Sequence, residues 1–116
     1  MSDKRQQMVE KYIEAFEKTD LDIIREIYAD DAVIEDPAGT EPKQGIDAIL
    51  DFYRGAFSMN IKLMLTGPVR LAANHAAFPF RLDSPDMKIE VIDVFEFDES
   101  GKVKAMTAYW GPENMG

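Results

Sequence analysis

Met87-Lys-Ile-Glu-Val-Ile-Asp-Val-Phe-Glu-Phe-Asp98 alternates along its whole length. One parity reads Ile89, Val91, Asp93, Phe95 and Phe97; the other reads Lys88, Glu90, Ile92, Val94, Glu96 and Asp98. A period of two marks a strand with one face in a core. Asp93 falls in the middle of that apolar face. An isolated carboxylate there is costly when ionised, so its pKa should rise until it is neutral at pH 7. A neutral carboxylic acid donates a hydrogen bond, which an ordinary Asp does not. Two plainer readings stand beside this one: a register displaced by one residue, or a buried Asp satisfied by backbone N–H groups.

The neighbouring segments are strands too. Ile61–Thr66, Val69–Ala73, Ala76–Leu82 and Lys102–Trp110 are separated by turn chemistry at Gly67-Pro68, Asn74-His75, Asp83-Ser84-Pro85-Asp86 and Asp98-Glu99-Ser100-Gly101. Connections this short predict antiparallel neighbours, with His75 exposed in a hairpin turn. Before Asn60 the period is helical. Met8, Val9, Tyr12, Ile13 and Phe16 form one stripe. Leu21, Ile24, Ile27 and Tyr28 form a second after Asp20, a fair N-cap. Ile46, Ile49, Leu50, Tyr53 and Phe57 form a third, over Gly45–Phe57. Ala32–Asp36 is a short strand stopped by Pro37. Helices followed by a meander predict an α+β fold, a curved antiparallel or mixed sheet wrapped as a cone around the N-terminal helices. The open end of such a cone is a pocket.

At 116 residues the chain has room for one core, so 1–116 reads as one domain. Asp plus Glu number 22 against 13 Lys plus Arg, a net charge of −9. That charge repels phosphate backbones and anionic lipid, and no basic patch offsets it, so neither nucleic acid nor a membrane is an expected partner. Zero Cys excludes disulfides, thiolate nucleophiles and sulfur-ligated metals, and the single His75 excludes a two-His site. No metal or cofactor is expected. With no apolar leader and no run near the ~20 residues a membrane span needs, a soluble cytoplasmic protein is expected. Carboxylates, tyrosines and hydroxyls are left for chemistry.

Asp36 shares its parity with Ala32 and Ile34 and ends its strand where a side chain can enter a cavity mouth. The plainer reading is an Asp closing a turn before proline. Two carboxylates in different settings suggest one ionised base and one neutral acid. Tyr12, Tyr28 and Tyr53 each lie on the inward stripe of a helix. They are either core aromatics or phenols that satisfy one another in a chain, with the terminal O–H made a stronger donor. Phe78, Phe80 and Leu82 share one strand face, and Met106, Ala108 and Trp110 another, as core or as pocket lining.

Tyr12-Ile-Glu-Ala, Tyr28-Ala-Asp-Asp-Ala, Ile34-Glu-Asp-Pro-Ala-Gly and Phe52-Tyr-Arg resemble the bacterial Δ5-3-ketosteroid isomerases. So do Leu65-Thr-Gly-Pro-Val-Arg, Phe78-Pro-Phe, Val91-Ile-Asp-Val and Ala108-Tyr-Trp, in order from about Val9 to Asn114. The resemblance implies a cone of the nuclear-transport-factor-2-like type, a homodimer, no cofactor and a small hydrophobic steroid as substrate. It implies that Asp36 is the base shuttling a proton from C4 to C6. Tyr12 and a protonated Asp93 would be the donors to the C3 oxygen. A carboxyl kept neutral by an apolar site is that family's own established device. Tyr28 and Tyr53 would support Tyr12. Phe52, Phe78, Phe80 and Val91 would line the steroid slot, together with Phe95, Met106, Ala108 and Trp110.

The rival readings are another small-ligand enzyme of this fold, of the polyketide-cyclase type, and a non-catalytic binder of hydrophobic ligands. An epoxide hydrolase would need an Asp-Arg-Asp set, yet Arg81 and Arg54 fall off the inward faces. A scytalone-type dehydratase would need buried histidines. A binder has no reason to keep two carboxylates in an apolar slot, because each costs stability.

Overall fold

Residues 3–116 are described by the computed structural model. Asp3 caps the first helix, α1 (Lys4–Lys18), by accepting from the Arg5 N–H, and Met8, Val9, Tyr12, Ala15 and Phe16 form its buried stripe. Asp20 caps α2 (Leu21–Ile27) in the same way. The chain then passes without a loop into β1 (Tyr28–Glu35), and the loop 36–42 leads to β2 (Lys43–Gln44) and α3 (Ile46–Phe57). Five further strands follow: β3 (Lys62–Leu65), β4 (Arg70–Ala72), β5 (His75–Asp83), β6 (Lys88–Phe97) and β7 (Val103–Tyr109). A 3₁₀ turn at Pro112–Asn114 follows, and Met115 after it bridges to Ile89 of β6.

The sheet runs β2-β1-β7-β6-β5-β3, with β4 also on β5. All pairs are antiparallel except β1 with β7, so the sheet is mixed. It curves around the three helices as the α+β cone that the strand and helix periods predict. The register of β6 holds: Ile89, Val91, Asp93, Phe95 and Phe97 are all buried, and Ile92 on the other parity is 47% exposed. Among the described residues no helix is long and apolar enough to cross a membrane.

Three expectations are corrected, and one element is added to them. Tyr28 opens β1 instead of closing a helix, because its backbone pairs with Val103 of β7 and that pairing outcompetes one more helical residue. Gly67-Pro68 is not a hairpin. β3 and β4 both pair with the same edge of β5, Leu65 opposite Phe80 and Arg70 opposite Ala77, so this dipeptide kinks one interrupted edge strand. His75 is half-buried at the start of β5, and the turn before it is made by Ala73, in the left-handed region at φ 51°, and Asn74. The two-residue β2 has no periodic signal and was not foreseen.

Candidate active site

A cavity of about 250 Å³ opens between the inner face of the sheet and helices α1 and α3. Its polar atoms come from five side chains, Tyr12, Asp36, Tyr53, Asp93 and Trp110; the rest of the wall is aliphatic or aromatic. Asp93 enters from the middle of β6, with Phe78 of β5 on one side in register and Ala108 of β7 on the other. Both neighbours are essentially inaccessible, and Asp93 itself is 1% exposed. Its Oδ1 is buried without any hydrogen-bond partner. Burial, and then the charge of Asp36, push the Asp93 carboxyl well above the ordinary aspartate range, while the Tyr12 hydroxyl offsets part of the rise. Neither plainer reading of Asp93 survives: the register is right, and no backbone N–H satisfies Oδ1.

Asp36 follows the last residue of β1, where the Ala38 N–H donates to the Ala108 carbonyl at 2.8 Å and ties the turn to β7. Glu35 points away and accepts from the Gly39 N–H at 2.5 Å. The Trp110 indole Nε1–H donates to Asp36 Oδ1 at 2.8 Å. Burial raises the Asp36 pKa, and the indole bond and Lys43 oppose the rise. The two carboxyls therefore differ as strand position implies: Asp93 has no protein donor on its buried oxygen, and Asp36 has one.

The three tyrosines meet. Tyr53 of α3 stands between the others, 3.1 Å from the Tyr12 hydroxyl and 2.6 Å from that of Tyr28. Burial holds all three phenols well above their usual range. Tyr12 packs edge-on against Phe16, Tyr53, Phe78 and Phe95, which fixes its ring while its hydroxyl reaches the cavity. Tyr28 does not reach the cavity and stands behind Tyr53.

Of the expected lining residues, Phe52, Phe80, Val91 and Trp110 are on the wall. Phe78, Phe95, Met106 and Ala108 are not: each is at most 1% exposed and lies behind it. They have the right parity, but Tyr12 and Tyr28 fill that end of the cone, with Phe95 edge-on to both rings. The wall also contains Leu82 and Ile89, directly opposite each other on β5 and β6. Strand parity sets Leu82 with Phe80 and Ile89 with Asp93 on the inward faces. Met59 sits in a connection, where no period points to it, and Met87, just before β6, continues the inward parity of Ile89. The indole bond to Asp36 was also missed, since parity gives the face of Trp110 and not its partner. Among the described residues no arginine reaches the wall: Arg54 and Arg81 pair with Asp51 and Asp83.

The α+β cone sets hydroxyls and carboxyls in an otherwise apolar cavity, which has the size and lining to admit a small, mostly apolar molecule. Residues 9–106 match the model of the SnoaL-like domain, and the chain belongs to that family, with its nuclear-transport-factor-2-like fold. It is 36% identical over 119 aligned residues to a curated steroid Delta-isomerase of Nocardioides simplex, covering 99% of this chain and 96% of the relative. A solved structure of the epoxide hydrolase/cyclase-like enzyme SalBIII, described for pyran ring formation in the polyether salinomycin, superposes with a TM-score of 0.90. It covers 97% of this chain and 95% of its own at 24% identity, a likeness of fold.

Proposed function

We propose that this chain is a steroid Δ-isomerase, moving the Δ5 double bond of a 3-ketosteroid into the conjugated Δ4 position. The observation that carries the reading is Asp93 Oδ1, a buried carboxyl oxygen without a protein partner, in one cavity with a second carboxylate and a phenol. The 36% identity to a steroid Delta-isomerase supports the substrate class. Asp36 takes a proton from C4, and the electron pair moves onto the C3 oxygen to give a dienolate. Tyr12 and protonated Asp93 donate to that oxygen, where charge exists only after the proton has left. Tyr53, itself receiving from Tyr28, donates to Tyr12 and frees the Tyr12 proton for the ligand. The proton held on Asp36 then passes to C6, and the electrons collapse back to the ketone. An apolar wall keeps that proton from water. The proposal includes the homodimer that the resemblance implies and a cytoplasmic setting.

The test is ultraviolet absorbance after mixing with 5-androstene-3,17-dione, because the conjugated product absorbs and the substrate does not. A rise that survives dialysis against EDTA is expected. No change at micromolar enzyme would redirect the reading to a cyclase or a binder. Activity lost to EDTA and restored by a divalent ion would contradict the cofactor-free reaction.

A further inference from the structure

The short strand β2 brings a cation to the proposed base. Lys43 pairs with Ile34 of β1, two residues before Asp36. Its ammonium stands 5.3 Å from the centroid of the Phe52 ring, a wall of the cavity. Lys43 is half-buried and forms no salt bridge among the described residues. An ammonium over an aromatic face is held by the ring quadrupole and keeps one position better than a free lysine.

The other groups around Asp36 offer no second cation. From α1 comes Tyr12, from α3 Phe52 and Tyr53, from β6 Asp93, and after β7 Trp110. Glu35, on its own strand, is engaged with Gly39, and Glu41 in the following loop is exposed. Arg54 and Asp51 of α3 pair with each other outside the cavity. Burial favours a protonated Asp36, which as a base would be idle. The indole bond and the Lys43 ammonium are what counter this.

We propose that Lys43 is a positioning residue of this site: its ammonium, seated on Phe52 at the cavity rim, keeps the Asp36 carboxylate ionised between turnovers. The assignment rests on Asp36 being the base, and its test does not depend on turnover. The Asp36 side-chain carboxyl carbon is titrated by ¹³C NMR in the wild-type chain, Lys43→Met and Lys43→Arg. Methionine keeps the stem that lies on Phe52 and removes the charge. Its Asp36 midpoint should rise by about half a pH unit, the size of one unit charge acting through a partly solvated gap. Lys43→Arg should retain the wild-type midpoint, and added salt should narrow the gap between wild type and Lys43→Met. The acid limb of kcat/KM should move with the midpoint. A Lys43→Met titration that superimposes on wild type overturns the proposal, whatever the activity. A shifted midpoint in a chain without isomerase activity upholds the electrostatic role of Lys43 and overturns the isomerase reading alone.

Discussion

Asp93 is defined by what surrounds it: Phe78 and Ala108 in register on either side, and a buried oxygen with no partner. Asp93→Asn should be mild for turnover, since an amide also offers N–H to a ligand oxygen. Asp93→Ala should cost about 2.7–4 kcal/mol of barrier, the size of one lost oxyanion donor. An ionised Asp93 would instead make the two variants about equally damaging in initial-rate assays. Stability gives a second readout. The folded-state pKa is raised above the unfolded one, so the folded state holds the proton more tightly. The penalty is absent below the unfolded value, near 3.9, grows as pH rises through it, and levels off above the folded value. Asp93→Asn should therefore gain stability over wild type as pH rises through that window in urea titrations. A difference flat with pH would remove the neutral-donor role. Asp36, with its indole donor, behaves as the opposite partner. Asp36→Asn should lose roughly 10²- to 10⁴-fold in kcat, the contribution of a positioned base, and still bind steroid in equilibrium fluorescence. Near-normal turnover would move the base elsewhere, with Asp93 the one other carboxyl on the cavity wall among the described residues and Glu35 and Asp31 both outside it.

The tyrosine chain exists because three elements converge: α1 supplies Tyr12, α3 Tyr53 and the first residue of β1 Tyr28. Tyr12→Phe should lower kcat roughly 10²- to 10³-fold, because it removes the hydroxyl that faces the ligand. Tyr28→Phe should cost least, being two hydroxyls away, with Tyr53→Phe between them. A Tyr28→Phe variant as impaired as Tyr12→Phe in steady-state kinetics would contradict this order. The inward facing of these phenols was legible from helical spacing at Tyr12 and Tyr53. Their meeting was not, because spacing along one helix says nothing of its distance from another. At Tyr28 the spacing misled, since Leu21, Ile24 and Ile27 continue to it as a helical stripe while strand pairing with Val103 claims it. Strand parity was the better guide. It found the burial of Asp93 and the faces of Phe80 and Val91, for a period of two leaves only two choices. It could not say how far along the face the cavity runs. Phe78, Phe95, Met106 and Ala108 share the inward side of the sheet and are fully buried off the cavity wall, Phe78 and Phe95 against the rings of Tyr12 and Tyr28.

The cone buries one face of its sheet against the helices and leaves the other outward. There Pro79 of β5, Ile92 of β6 and Tyr109 of β7 stand in one row across three strands, with Ile92 47% and Tyr109 52% exposed. If the proposed homodimer forms, this exposed apolar row on an otherwise strongly acidic protein is the expected seat of the second copy. Each copy carries a net charge of −9, so association works against long-range repulsion and should tighten as salt screens it. Ile92→Glu tests the row without attacking the fold. The same outward parity of β6 already carries Glu90 and Glu96, so a carboxylate there is compatible with the strand. Placed in an interface, it would lose apolar contact and bury a charge facing its own symmetry mate. A loss of at least about 2 kcal/mol is expected, roughly 30-fold in the dimer dissociation constant. Sedimentation velocity at micromolar concentration should then give twice the monomer mass for wild type and a shift toward monomer for Ile92→Glu, with both more dimeric in added salt. The cavity opens between the sheet's other face and the helices, so the variant's Tyr12–Tyr53–Tyr28 contacts should be intact by NMR. A monomeric wild type, or an Ile92→Glu protein that dimerises as tightly, would take the interface off this face.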